Sequence, residues 1–114
     1  MLHFSTYLGP CVSAWSECMQ LRRLLDGAPV TYSTRTLQVL DECATLCLGT
    51  LQALQCGFAQ VPALALLCVG VCAECAECCA RYGEAAFAAC ADACTRCAAA
   101  LSDLAAEGAA QLPG

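Results

Sequence analysis

Apolar residues recur along this chain at helical spacing, in four stretches separated by glycine and proline. At about 100° per residue, Val61, Leu64, Cys68, Cys72, Cys75 and Cys79 fall in one narrow stripe, with Glu74, Glu77 and Arg81 opposite. Phe87, Cys90, Cys94, Cys97, Leu101 and Leu104 form a second stripe, facing away from Asp92, Arg96 and Asp103. Leu40, Cys43, Cys47 and Leu54 form a third, and Cys11, Trp15, Cys18 and Leu25 a fourth. Gly27-Ala28-Pro29, the segment from Gly57 to Pro62, and Gly83 supply the stops, because glycine closes helices and proline opens them. The pattern predicts helices over 6–26, 33–57, 61–82 and 85–107, with Ser33 or Thr34 able to cap the second. Short loops between helices of similar length predict an all-α fold, an antiparallel up-down-up-down four-helix bundle with a Cys-lined core. Residues 1–114 read as a single domain.

Composition changes this picture in one respect. Thirteen of the 114 residues are cysteine. A cysteine-dense small chain in an oxidising compartment is normally a loop-rich disulfide scaffold with an even cysteine count. Here the count is odd and the cysteines lie in Ala/Leu/Glu stretches that favour helix, so metal binding in a reducing cytosol is the expectation. Lysine is absent, and five arginines stand against ten acids for a formal charge of −5. That balance excludes nucleic acid and anionic lipid as partners, since both require clustered basic charge. The longest apolar run, Val61 to Ala73, has 13 residues, short of the ~20 that span a bilayer. The opening residues do not read as a secretory signal. The expectation is a soluble cytoplasmic protein with no membrane partner.

A rise of about 1.5 Å per residue places each thiol along the bundle axis. Measured from the turn between the third and fourth helices, Cys79 and Cys90 come first, at roughly 6–8 Å. Cys18, Cys43, Cys75 and Cys94 share a level near ~12–15 Å, and Cys11, Cys47, Cys68, Cys72 and Cys97 follow at roughly 16–23 Å. Beyond them the inward positions are Leu54, Leu64, Leu101 and Leu104. Cys78 lies about 80° off its stripe, at the rim, and Cys56 lies roughly opposite Cys47 and outside the site.

Cysteine packs well as a small apolar residue, yet Ala, Val or Leu would do so without inviting oxidation. Soft thiolates select Cu(I), Zn(II) and Fe–S clusters. The i,i+4 pairs Cys43/Cys47, Cys68/Cys72, Cys75/Cys79 and Cys90/Cys94 put two sulfurs on adjacent turns, which suits a two-coordinate ion. Zinc requires four converging ligands, and ferredoxin ligands lie on loops with a following Cys-Pro that this chain lacks. Charge favours copper as well. Where each thiolate bridges two Cu(I) ions and each ion takes two thiolates, the buried charges cancel, whereas an isolated Zn(Cys)4 site keeps two negative charges. Three readings stand at this point: binding of multiple Cu(I) ions, an Fe–S or zinc bundle for electron transfer or sensing, and a helical interaction module with structural cysteines. No Ser/His/Asp or Cys/His arrangement supports an enzyme.

Cys43-Ala-Thr-Leu-Cys47, Cys68-x3-Cys72-Ala-Glu-Cys75-Ala-Glu-Cys78-Cys79 and Cys90-Ala-Asp-Ala-Cys94-Thr-Arg-Cys97 resemble the bacterial copper storage proteins, four-helix bundles filled with cysteines. The resemblance runs from about Cys11 onward. It implies storage of several Cu(I) ions without turnover and a homo-oligomer, commonly a tetramer of bundles. Its cytosolic members are the more similar. It assigns as ligands Cys11, Cys18, Cys43, Cys47, Cys68, Cys72, Cys75, Cys78, Cys79, Cys90, Cys94 and Cys97. Family members often place His and Met at the mouth where copper passes. The turn before Cys90 has no histidine, His3 lies near the terminus, and Met19 is the candidate ligand at the mouth.

Overall fold

In a computed structural model, which describes residues 5–113, every described element is a helix. Helix α1 spans Ser5–Asp26, α2 Thr34–Cys56, α3 Val61–Ala80, α4 Ala85–Ala100 and α5 Ser102–Ala110. The boundaries follow local chemistry. Ser33 sits in extended backbone and its hydroxyl accepts from the Thr36 N–H at 3.1 Å, satisfying a donor that the first turn of α2 leaves open. Gly57 ends α2 in the left-handed conformation, φ 69°, returning its N–H to the Ala53 carbonyl. Pro62 opens α3, where a missing N–H costs nothing.

The fourth predicted helix, 85–107, is two helices, so the expectation of four is corrected to five among the described residues. The chain bends at Leu101, whose ψ of 1° departs from helical values. No glycine or proline marks the bend. Leu101 is completely buried, and the Ser102 hydroxyl donates to the Ala99 carbonyl at 2.9 Å, a local bond that competes with the helical ladder. The bend separates the partners of the two segments. Helix α4 packs against α1 and α3, whereas α5 packs against α3 and barely touches α4. Gly108 near the end of α5 lies so close to α3 that a Cβ there would overlap the Pro62 carbonyl oxygen.

Helices α1 to α4 close a ring of contacts, α1 on α2, α2 on α3, α3 on α4 and α4 on α1. Salt bridges tie the outside, Arg22 to Asp41 at 3.3 Å across α1 and α2, and Arg35 to Glu74 at 2.6 Å across α2 and α3. On α1 the inward stripe is Cys11, Ala14, Cys18, Leu21 and Leu25; Trp15, predicted within it, is only half-buried. On α3, Ala65 rather than Leu64 completes the buried stripe. One helix, α3, is apolar and long enough to cross a membrane by length and composition, so the 13-residue run understated it. Its cysteine face is spent on the bundle interior.

Candidate metal centre

Each inward stripe delivers its sulfurs to the axis of the ring. Cys18 of α1, Cys43 of α2, Cys75 of α3 and Cys94 of α4 bring four Sγ atoms within 4.8 Å of one another. Among them, Cys18–Cys94 and Cys43–Cys94 are 3.7 Å apart and Cys18–Cys75 4.0 Å. These four were predicted to share one level. Cys47, Cys68, Cys72 and Cys97 form a second group of the same size, with Cys47–Cys68 at 3.7 Å, Cys47–Cys72 at 3.8 Å and Cys68–Cys72 at 4.0 Å. Cys75, Cys79 and Cys90 form a third, which shares Cys75 with the first.

The groups are joined. Cys43 lies 3.9 Å from Cys47 and 3.7 Å from Cys72, linking the first group to the second. Cys11 continues the line through Cys97 at 4.0 Å, and Cys90 touches Cys18 at 3.7 Å. Eleven sulfurs, from Cys11 to Cys79, therefore form one connected column, and all of them are free thiols with 0% exposure. The shortest contacts cross between helices, so the three groups draw on four, three and two helices in turn, and the column is built across helices more than from the i,i+4 pairs of one.

The other sequence-assigned positions stand apart. Cys78 is buried, 5% exposed, but belongs to none of the sulfur groups. Met19 is half-buried and packs against the core. Cys56 is exposed at the end of α2. His3 lies outside the described residues.

Electrostatics inside the column are set by what is missing from it. Among the described residues the buried polar side chains are Thr36 and Thr50 alone, with no buried cation. The thiols divide their protons unevenly. Contacts with Cys43, Cys75, Cys90 and Cys94, followed by burial, push Cys18 up; contacts with Cys43, Cys47, Cys68 and Cys94, then burial, do the same to Cys72. Cys11 is raised by Cys97 and Cys47 by Cys43. Cys75, Cys94 and Cys97 are held down by neighbouring S–H groups that donate to them, against burial. Without a cation nearby, burial opposes charge at every thiol, and a metal entering the column displaces protons from it.

A sulfur–metal bond of about 2.3 Å places ligands about 3.8 Å apart around a tetrahedral ion and about 4.0 Å apart around a trigonal one. The closest contacts, 3.7–4.0 Å, fall in this range, and the remaining pairs of each group lie within 4.8 Å. Soft monovalent or borderline divalent metal can therefore be held with little movement of the helices.

One further feature was not read from the sequence. Beyond Cys79 and Cys90, three rings close the end of the column: Tyr82 stacks on Phe87 at 4.3 Å, and Tyr32 from the α1–α2 loop meets them at 5.4 and 5.5 Å. The signal for two of them was present, since Tyr82 follows Cys79 by three residues and Phe87 precedes Cys90 by three. Tyr32 had none, because it lies in a loop distant in sequence.

Comparison with known proteins gives a match to the copper storage protein family over residues 4–106, a span that includes every cysteine. The chain belongs to the copper storage protein family. No curated protein and no solved structure gives a match. For this copper storage family member the eleven-sulfur column is the feature to which a storage role attaches.

Proposed function

We propose that this chain stores several Cu(I) ions along the connected column, one bundle acting as one reservoir and performing no turnover. The observation that carries the reading is the continuity of eleven buried, unoxidised thiols without a buried cation. Softness of sulfur selects Cu(I), and bridging thiolates neutralise a monovalent ion where nothing else in the core can. Helices α4 and α5 together serve as the fourth arm of an antiparallel bundle, supported by the closure of α5 onto the start of α3. Residues 1–114 act as a single domain around the one core. A cytoplasmic location fits the free thiols, which a reducing compartment preserves. Homo-oligomerisation fits the outer face of α3, where Ala63, Leu67, Gly70 and Ala73 are exposed and uncharged.

The test is an anaerobic titration of reduced protein with Cu(I) in competition with a strong Cu(I) chelator. Storage requires many tightly held ions per chain. A second reading has support in the two four-sulfur groups, each sized for one tetrahedral divalent ion; it leaves two negative charges buried per site. Saturation at about two ions per chain, held as divalent metal, would favour that reading and end the first.

A further inference from the structure

The column has no opening. Each of its eleven cysteines is 0% exposed, so part of the protein must move whenever an ion passes. The two ends differ in what would have to move. At the far end from the α3–α4 turn, Leu51, Leu54, Val61, Leu101 and Leu104 fill the core, and Gly108 is pressed against the Pro62 backbone. Opening there means separating α5 from α3 and exposing several aliphatic side chains, each of which favours burial. Asp103 and Glu107 line a cavity at that end, with the aliphatic side chains of Val61 and Leu104 and no sulfur behind them among the described residues.

At the near end the cover is one ring deep. Phe87 is 1% exposed and stands one turn before Cys90 on the same helical face; Tyr82, one turn past Cys79, stacks on it. Tyr32 completes the cover and is half-buried, as is Tyr82. Three hydrogen bonds hold the set in place. Tyr32 donates to Glu84 at 3.1 Å, the Tyr82 and Thr36 hydroxyls share one at 3.0 Å, and Thr36 is bonded to Ser33 at 2.7 Å. Outside the rings lies a cavity of about 360 Å³ lined by Leu24, Leu25, Pro29, Tyr32, Glu84 and Phe87. It opens on solvent with a carboxylate at its wall and an aromatic floor. Immediately inside lie Cys75, Cys79 and Cys90, three sulfurs within 4.8 Å of one another.

From this arrangement, and resting on the copper-storage reading, we infer that Tyr32, Tyr82 and Phe87 form an aromatic gate. Metal passes there between the outer cavity and the Cys75/Cys79/Cys90 trio, and the gate sets the rate of loading and unloading. The cavity collects a cation by the charge of Glu84 and the faces of its rings, since aromatic faces attract cations. Swinging Phe87 and Tyr82 aside exposes the trio without parting any helices. The trio then hands the ion inward through Cys75, which is common to it and the four-helix group behind. No bond is made or broken in the gate itself; each thiol that accepts the ion gives up its proton to solvent along the same path.

Rates test the gate and equilibrium tests the storage reading, so the two can fail separately. Reduced apo-protein is mixed anaerobically with a Cu(I)–bicinchoninate complex in a stopped-flow instrument, and loss of the complex's colour gives the uptake rate. Phe87→Ala should raise that rate at least tenfold with the number of ions bound at equilibrium unchanged. Leu54→Ala, a comparable truncation at the aliphatic end, should change it less than twofold. An unchanged rate in Phe87→Ala, or an equal acceleration in Leu54→Ala, overturns the gate. If circular dichroism shows that Phe87→Ala has lost its helices, the paired change Tyr32→Phe and Tyr82→Phe decides. It keeps the rings and removes their hydrogen bonds; a rise of twofold or more supports the gate and no rise overturns it. Wild-type saturation at one or two ions would defeat the storage reading whatever the order of the rates.

Discussion

The number of protons released per copper ion should be about one, and deleting Cys43 should leave that ratio intact. Cys43 is the sulfur through which the Cys18/Cys43/Cys75/Cys94 group meets Cys47 and Cys72. If every thiolate bridges two ions, the eleven connected sulfurs hold about eleven Cu(I) and release about eleven protons, leaving the core neutral. If ions instead occupy separate two-thiolate sites, the same sulfurs hold about five ions, release about two protons each and bury one negative charge per site. The effective cost of an uncompensated buried ion is several kcal/mol, and each 1.4 kcal/mol is tenfold in affinity. Separate sites should therefore bind at least about a hundredfold more weakly. The assay is a Cu(I) titration of fully reduced protein near pH 7 in dilute buffer with a pH indicator, metal and proton counts being read together. Cys43→Ala should lower capacity by about one or two ions with the ratio still near one. A ratio near two, or a loss of half the capacity in Cys43→Ala, would refute the bridged column.

Gly108→Ala should destabilise the protein by about 1–3 kcal/mol, read as a lowered urea midpoint, because its Cβ would overlap the Pro62 carbonyl; no change would mean that α5 does not close on α3. Ser33→Ala should cost about 1 kcal/mol by the same measurement, through loss of the cap on Thr36. Apo-protein should lose stability as pH rises above 9. Cys11, Cys18, Cys47 and Cys72, all raised from 9.0, keep their protons in the fold while the unfolded chain loses them. Each contributes a loss of about 1.4 kcal/mol per pH unit, and unchanged denaturation midpoints between pH 8 and 10 would contradict this. Cys56→Ser should leave copper capacity unchanged while reducing the number of thiols that react quickly with a bulky reagent, since Cys56 alone of the thirteen is exposed.

The rise per residue was enough to group the sulfurs of Cys18, Cys43, Cys75 and Cys94, because a thiol on a straight helix has little freedom in where it points. It also placed Cys56 outside the column, where the α2 terminus and Gly57 leave it exposed. The bend at Leu101 was invisible for a related reason. Ala98-Ala99-Ala100-Leu101 is good helix sequence, and what interrupts it is the burial of one side chain together with one serine bond. Trp15 illustrates the limit of periodicity: either it or Ala14 could lie inward by angle, and packing volume gave the place to the alanine. The outlying position of Cys78 was legible as an angular offset, though its burial came from the neighbouring helices. Cross-helix distances, which decide how many sulfurs meet one ion, depend on how the helices approach one another and have no counterpart in spacing along the chain.

The aliphatic end of the core has a further consequence. Small metal domains commonly collapse when stripped, because the ion is the keystone of the fold. Here Leu51, Leu54, Val61, Leu101 and Leu104 form a permanent hydrocarbon plug that does not depend on occupancy. A chain built this way can be drained and refilled repeatedly while its shape persists, so that the quantity of metal aboard varies as a level in a tank rather than as a switch between a folded and an unfolded molecule.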